Sequence, residues 1–173
     1  MRPAITLIGV GNPWRRDDGV GWAVAAAASR RLGDAVVVIE TDGEPSRLID
    51  AWVDTDLAVV VDAVCSGSEP GTIHVWRGEA EIARGRRSTG SHSLGLADAI
   101  ALGRAVQRLP RELVVVGIEV QQTSRGDGLS SVVAEAVEHA AELINDIVTR
   151  WQAVDQPQAG SNATSSADPG SSE

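Results

Sequence analysis

The chain has 173 residues, 43% hydrophobic and 23% charged, which suits one soluble domain with a full core. Its formal net charge of -9 argues against a nucleic-acid binder and against docking on an anionic membrane surface, since both need a basic face. Cys65 is the single cysteine, which excludes an internal disulfide and a cysteine-based zinc site.

A reducing cytoplasm fits this cysteine usage. The N-terminus lacks an apolar signal-peptide core followed by a small-residue cleavage site. No segment reaches the ~18 apolar residues that would span a bilayer. Five Trp with no Phe or Tyr leave the core to Val, Ala, Leu and Ile, which favours close packing of helices on a sheet.

The apolar run Ala4 to Val10 predicts a buried strand, too short for a helix and ending in glycines. The loop Gly9 to Arg16 follows, then an alanine-rich helix from about Asp18 to Leu32, stopped near Gly33. Ala35 to Glu40 predicts a second strand, Pro45 to Asp54 a short helix with Leu48, Ile49 and Trp52 on one face, and Leu57 to Asp62 a third strand. Ser66 to Gly71 is a turn, and the alternation in Thr72 to Arg77 marks a half-exposed or edge strand. Glu79 to Thr89 is polar, basic at its end, and reads as a mobile loop. A helix over Ser91 to Arg108, a buried strand over Leu113 to Val120, a loop to Gly128 and a helix over Leu129 to about Trp151 complete the pattern.

Strands alternating with helices imply an α/β fold of three layers: a twisted, mostly parallel sheet with helices on both faces. It forms a single domain over residues 1–151. From Gln152 the chain is polar and poor in large apolar residues, so 152–173 reads as a disordered tail. In such sheets ligands gather beyond the carboxyl ends of the strands. The Gly9 to Asp18 loop, Asp42, Asp62 and Glu119 belong to that edge.

Gly9-x-Gly11 after a strand invites a dinucleotide-binding reading, but the third small residue of that fingerprint is replaced by Trp14, and Pro13 removes a backbone donor. Asp17 and Asp18 open a helix, where Asp serves as a cap and meets the positive end of the helix dipole. One Asp suffices for a cap, so from spacing alone the cap and ligand readings stand level. Asp62 fits an ordinary turn after its strand, yet a carboxylate beside so apolar a strand at the ligand edge is a functional candidate. His74 alternates outward and His139 lies among Glu135, Glu138 and Glu142, so both read as surface residues. His92 differs in sitting at a Gly-Ser-rich helix mouth; taken alone it carries no role. Cys65 has no signature around it and reads as inert. The chain has no Lys, hence no Walker lysine, and no Gly-x-Ser-x-Gly elbow. Arg84-Gly-Arg-Arg87 could meet an acidic part of a partner, although such charge runs are usually only solvated. Carboxylate oxygen and imidazole nitrogen together form a ligand set for a borderline divalent metal, which draws Asp18, Asp62 and His92 into one group.

Read together, Ile8-Gly-Val-Gly-Asn-Pro-Trp-Arg-Arg-Asp-Asp-Gly-Val-Gly21, Val59-Val-Val-Asp-Ala63, Pro70-Gly-Thr72, Ser91-His-Ser-Leu-Gly-Leu-Ala-Asp98 and Val116-Gly-Ile-Glu119 resemble the hydrogenase maturation endopeptidases of peptidase family M52. The ordered set runs over roughly residues 5 to 150. The resemblance implies a twisted sheet with helices on both faces. It implies an aspartic-type endopeptidase that removes the C-terminal extension of a [NiFe] hydrogenase large-subunit precursor after nickel insertion. By motif position Asp18, Asp62 and His92 are the implied catalytic and metal-engaging residues, acting on nickel presented by the precursor, with no organic cofactor. Val120 stands where many relatives have proline.

Two roles for the metal follow from general chemistry: a Lewis acid or hydroxide source, or a recognition handle beside a carboxylate that activates water. A non-catalytic, chaperone-like metal-binding module and a small-molecule metallohydrolase on the same fold are the alternative readings. One histidine and no cysteine ligand make a poor permanent cage, so the trio fits a partial shell for a metal already held by another protein.

Overall fold

The computed structural model describes residues 4–85 and 93–155. The elements are β1 (Ile5–Val10), a 3-10 turn (Arg16–Gly19), α1 (Val20–Leu32), β2 (Val37–Thr41), α2 (Pro45–Trp52) and β3 (Leu57–Val64). They continue with β4 (Ile73–Arg77), α3 (Gly78–Gly85), α4 (Ser93–Ala105), β5 (Glu112–Glu119) and α5 (Ser131–Asp155). The five strands form one sheet in the order β2-β1-β3-β5-β4. All neighbours are parallel except the edge strand β4, which runs antiparallel to β5.

The helices make the outer layers. Residues 57, 59, 61 and 63 of β3 share a core with Val20, Val24 and Ala28 of α1 and with Ala140, Ile144 and Val148 of α5. Ala58 and Val60 point to the other face, into a core with Leu48 and Trp52 of α2, Leu96 and Ile100 of α4, and Ile82 of α3. Every residue of β3 is buried, which is why its sequence is a continuous apolar run rather than an alternation. Burial of each such valine contributes roughly 1.5–3 kcal/mol of transfer free energy. β4 is half-buried, as its alternating sequence predicts for an edge.

Local signals set the helix ends. Gly33 stops α1 with φ 52°, a conformation that favours glycine. Glu44 starts α2: its carboxylate accepts from Ser46 N and Arg47 N, each at 3.2 Å, and Pro45 occupies the first turn.

Three expectations need correction. Glu79 to Gly85 belongs to α3 and is not a loop: Ile82 is buried in the core on the α2 and α4 face of the sheet, where α3 packs on β4 and β5, and the Glu81 carboxylate accepts from Arg77 N at 2.7 Å. Residues 86–89 of that expected loop lie outside the described residues. The last helix continues to Asp155, so residues 152–155 extend it; the rest of the expected tail, 156–173, lies outside the described residues. Asp62 does not close its strand, because β3 runs on to Val64. Among the described residues no helix is long and apolar enough to cross a membrane.

Candidate functional site

The chain passes from β1 to β2 on one side and reaches β3 on the other, so the β1/β3 boundary is the topological switch point of the sheet. Ligand crevices of doubly wound folds open at such a point, beyond the carboxyl ends of the strands. The loop after β1 carries Asp18, and the last turn of β3 carries Asp62.

Asp18 is held by a tightly wound loop. Its N donates to Arg15 O at 3.1 Å and its O accepts from Asn12 N at 3.3 Å. A Cβ on Gly11, whose φ is 136°, would collide with Asp18 O, so the loop closes only over glycine. The helix that follows is drawn down onto the sheet by two further glycines. A Cβ on Gly21 would lie 2.6 Å from Val61 O, and one on Gly9 would lie 2.8 Å from Gly21 O. The start of α1 therefore rests on β3 one residue before Asp62. Trp14 does not intervene there: it is 70% exposed, and the close helix–strand approach runs through Gly9 and Gly21.

Asp18 is 1% exposed and Asp62 2% exposed. Both bear on the Cys65 thiol, whose pKa is raised first by its partial burial and then by the charges of Glu119, Asp18 and Asp62. Three acidic side chains thus gather around the end of β3 and β5. The raised thiol stays protonated near neutrality, which agrees with an inert Cys65. Asp62 shares the sheet face of Ala58 and Val60, the face that α2 and α4 cover. The start of α4 lies close to the end of β2, since a Cβ on Gly95 would collide with Gly43 O. His92, which precedes α4 in sequence, lies outside the described residues. Among the described residues no three His, Cys, Asp or Glu side chains are grouped as metal ligands.

Asp17 has a different task from its neighbour. Neither Asp17 nor Asp18 caps a helix through its side chain. Asp17 is fully buried and accepts from Ser130 N at 2.7 Å, Ser130 Oγ at 3.1 Å and Gln122 N at 3.2 Å. It ties the loop after β1 to the segment before α5. Arg16 N to Gly126 O at 2.9 Å and Asp17 N to Gln122 O at 3.0 Å add to the same junction.

Glu119 is 2% exposed and cradled by the turn after β3: it accepts from Ser66 N at 2.7 Å, Ser66 Oγ at 2.8 Å and Gly67 N at 2.9 Å. His74 corrects the surface reading. It is half-buried, stacks on Trp76 with ring centroids 5.4 Å apart, and brings Nε2 to 3.4 Å from Glu119 Oε2. Alternation along an edge strand does not reveal that the outer face is partly covered. His139 is exposed, as its acidic surroundings predict.

Residues 24–147 match the hydrogenase maturation protease family. The chain belongs to that family. The matched segment contains Asp62 and His92, and Asp18 lies ahead of it. The chain is 31% identical over 121 residues to the hydrogenase expression/formation protein HupM of Azotobacter chroococcum mcd 1, covering 68% of this chain and 57% of that protein. It is 25% identical over 167 residues to the protein of the same description, HoxM, of Cupriavidus necator, covering 94% of this chain and 83% of HoxM. The fold superposes on the hydrogenase maturating endopeptidase HybD from E. coli with a TM-score of 0.76 at 26% identity, covering 86% of this chain and 93% of HybD. The [NiFe] hydrogenase maturation protease HybD from Thermococcus kodakarensis superposes with a TM-score of 0.68 at 25% identity, covering 84% and 99%.

Proposed function

We propose that this protein is an endopeptidase that removes the C-terminal extension of a [NiFe] hydrogenase large-subunit precursor after nickel insertion, working in the cytoplasm without an organic cofactor. The observation that carries the reading is the pair of buried carboxylates, Asp18 and Asp62, at the switch point of a fold shared with HybD endopeptidases. Carboxylate oxygens of like charge at one sheet edge favour a cation between them. In this reading nickel is part of the substrate: Asp18, Asp62 and His92 engage a metal that the precursor already holds.

Hydrolysis adds a water oxygen to the scissile carbonyl, breaks the C–N bond and delivers a proton to the departing nitrogen. A buried carboxylate is suited to take the proton from that water and return it to the amine. The loop from Gly11 to Asp18 and the end of β3 hold the two acids on separate rigid elements, so the scissile peptide is positioned between fixed groups.

The test is incubation of the purified protein with nickel-loaded and nickel-free precursor, read by mass. The expected result is loss of the C-terminal extension from the loaded form only. An unchanged mass for the loaded form overturns the peptidase reading.

A further inference from the structure

Beside the acids, the loop after β1 and the segment leading to α5 enclose an open cavity of about 620 Å³, lined by Asn12, Trp14, Arg15 and Arg125. Its volume lies in the range of small-molecule sites. The cavity is built rather than incidental. Asn12 Oδ1 accepts from Trp14 N at 2.9 Å, and Arg15 Nε donates to Thr123 O at 3.1 Å, which fixes the guanidinium across the gap between the two segments. Asp17, through Ser130 and Gln122, holds those segments together from beneath.

The cavity is locally basic. The chain carries a net charge of -9, and Arg30, Arg31, Arg47, Arg77, Arg104 and Arg108 all pair with carboxylates. Among the described residues Arg15 and Arg125 have no carboxylate partner, nor do Arg150 on α5 and Arg16, whose guanidinium lies against Gly126 beside Arg125. Two arginines flanking an indole that is 70% exposed form a site for a planar anion: the guanidinium forks bind a carboxylate, and the ring covers the chain that bears it.

We propose that this cavity is a carboxylate-binding subsite for the substrate chain, seating a carboxylate next to the residues that cut. This rests on the endopeptidase reading. Arg15 O and Asn12 N, both on cavity-lining residues, are hydrogen-bonded to the backbone of Asp18, so the subsite and one of the acids share a single turn. An extended peptide advances about 3.3 Å per residue, so a carboxylate a few residues from the scissile bond reaches the cavity. That carboxylate comes from the chain terminus of the extension or from an Asp or Glu side chain within it.

The test uses four acetylated pentapeptides without tryptophan: one with a free C-terminus and no acid, one with an amidated C-terminus and a single Glu, one with both carboxylates, and one amidated with Gln in place of Glu. Binding is read as a change in Trp fluorescence that the W14F variant loses. At least one of the carboxylate-bearing peptides is expected to bind and the amidated Gln peptide not. The first two peptides separate terminus from side chain. R15Q and R125Q are each expected to weaken binding about tenfold or more, the worth of a charge-assisted hydrogen bond, with circular dichroism unchanged. Equal binding of all four peptides, no binding of any, or unaltered affinity in both Arg variants overturns the subsite. Cleavage of nickel-loaded precursor gives a separate readout: R125Q raises KM more than it lowers kcat. A wild-type protein that cuts no precursor sinks the endopeptidase reading and leaves the peptide titration standing as the test of the cavity.

Discussion

Ser130 donates twice to Asp17, from its backbone N to Oδ1 at 2.7 Å and from its hydroxyl to Oδ2 at 3.1 Å. That pair joins the loop after β1 to the residue preceding α5, 113 positions later. It commits Asp17 to holding the fold, whereas the backbone of its neighbour Asp18 is bonded within the loop, to Asn12 N and Arg15 O.

Asp17→Ala should therefore act on stability. It leaves the part-buried hydrogen bonds of Ser130 N and Gln122 N without their acceptor, and each donor costs up to about 1–3 kcal/mol to the extent that water does not replace the lost carboxylate. A loss of roughly 2–4 kcal/mol in urea unfolding is expected on that basis. A variant as stable as the wild type would show that the junction does not depend on this carboxylate.

Asp62→Asn and Asp18→Asn keep the side-chain shape and remove the charge. If these groups move protons or engage the substrate's metal, cleavage of nickel-loaded precursor falls by about 10² or more, the usual contribution of a positioned acid or base. His92→Gln should do the same. Unfolding midpoints measured alongside separate a lost reaction from a lost fold. Full activity in any one of the three removes that residue from the mechanism.

Cys65 offers a probe of the acidic cluster. Its pKa is raised by partial burial and by the negative charges of Glu119, Asp18 and Asp62, each of which disfavours the thiolate. Replacing a nearby carboxylate by its amide removes one of these charges, so the pKa falls. The pH profile of iodoacetamide alkylation should move to lower pH in Glu119→Gln and in Asp62→Asn. A profile that stays in place, or moves upward, means that the acids lie too far from the sulfur to act on it.

Gly21→Ala tests the contact that seats α1 on β3. Its methyl group would lie 2.6 Å from Val61 O, a backbone atom with no room to yield. Overpacking of this kind costs about 1–3 kcal/mol. Because the turn that carries Asp18 runs directly into this helix, cleavage should drop along with stability. Activity retained at wild-type level would mean that Asp18 does not depend on this seating.

The fold was largely legible before the structure. Runs such as Leu57 to Val61 and Leu113 to Ile118 are apolar throughout because both faces of a central strand meet helices, and Thr72 to Arg77 alternates because β4 is an edge. The segment after β4 does not announce its helix, because only Ile82 marks the buried face of α3 and one apolar position sets no period. Of the site, the carboxyl-edge position of Asp18 and Asp62 followed from element order.

The strands, their direction and the edge where ligands gather were determined by hydrophobic period and chain order, which are local and one-dimensional. Tertiary structure decided what local pattern cannot encode. Asp17 and Asp18 are identical residues side by side, and it is Asp17 that Ser130 and Gln122 reach in the folded chain. His74 and Glu119 meet only because β4 pairs antiparallel with β5. The cavity of Trp14, Arg15 and Arg125 exists only where two segments over a hundred residues apart are drawn together. Partners chosen by three-dimensional proximity leave no period in the sequence, so which segment each acid holds is visible only in the folded chain.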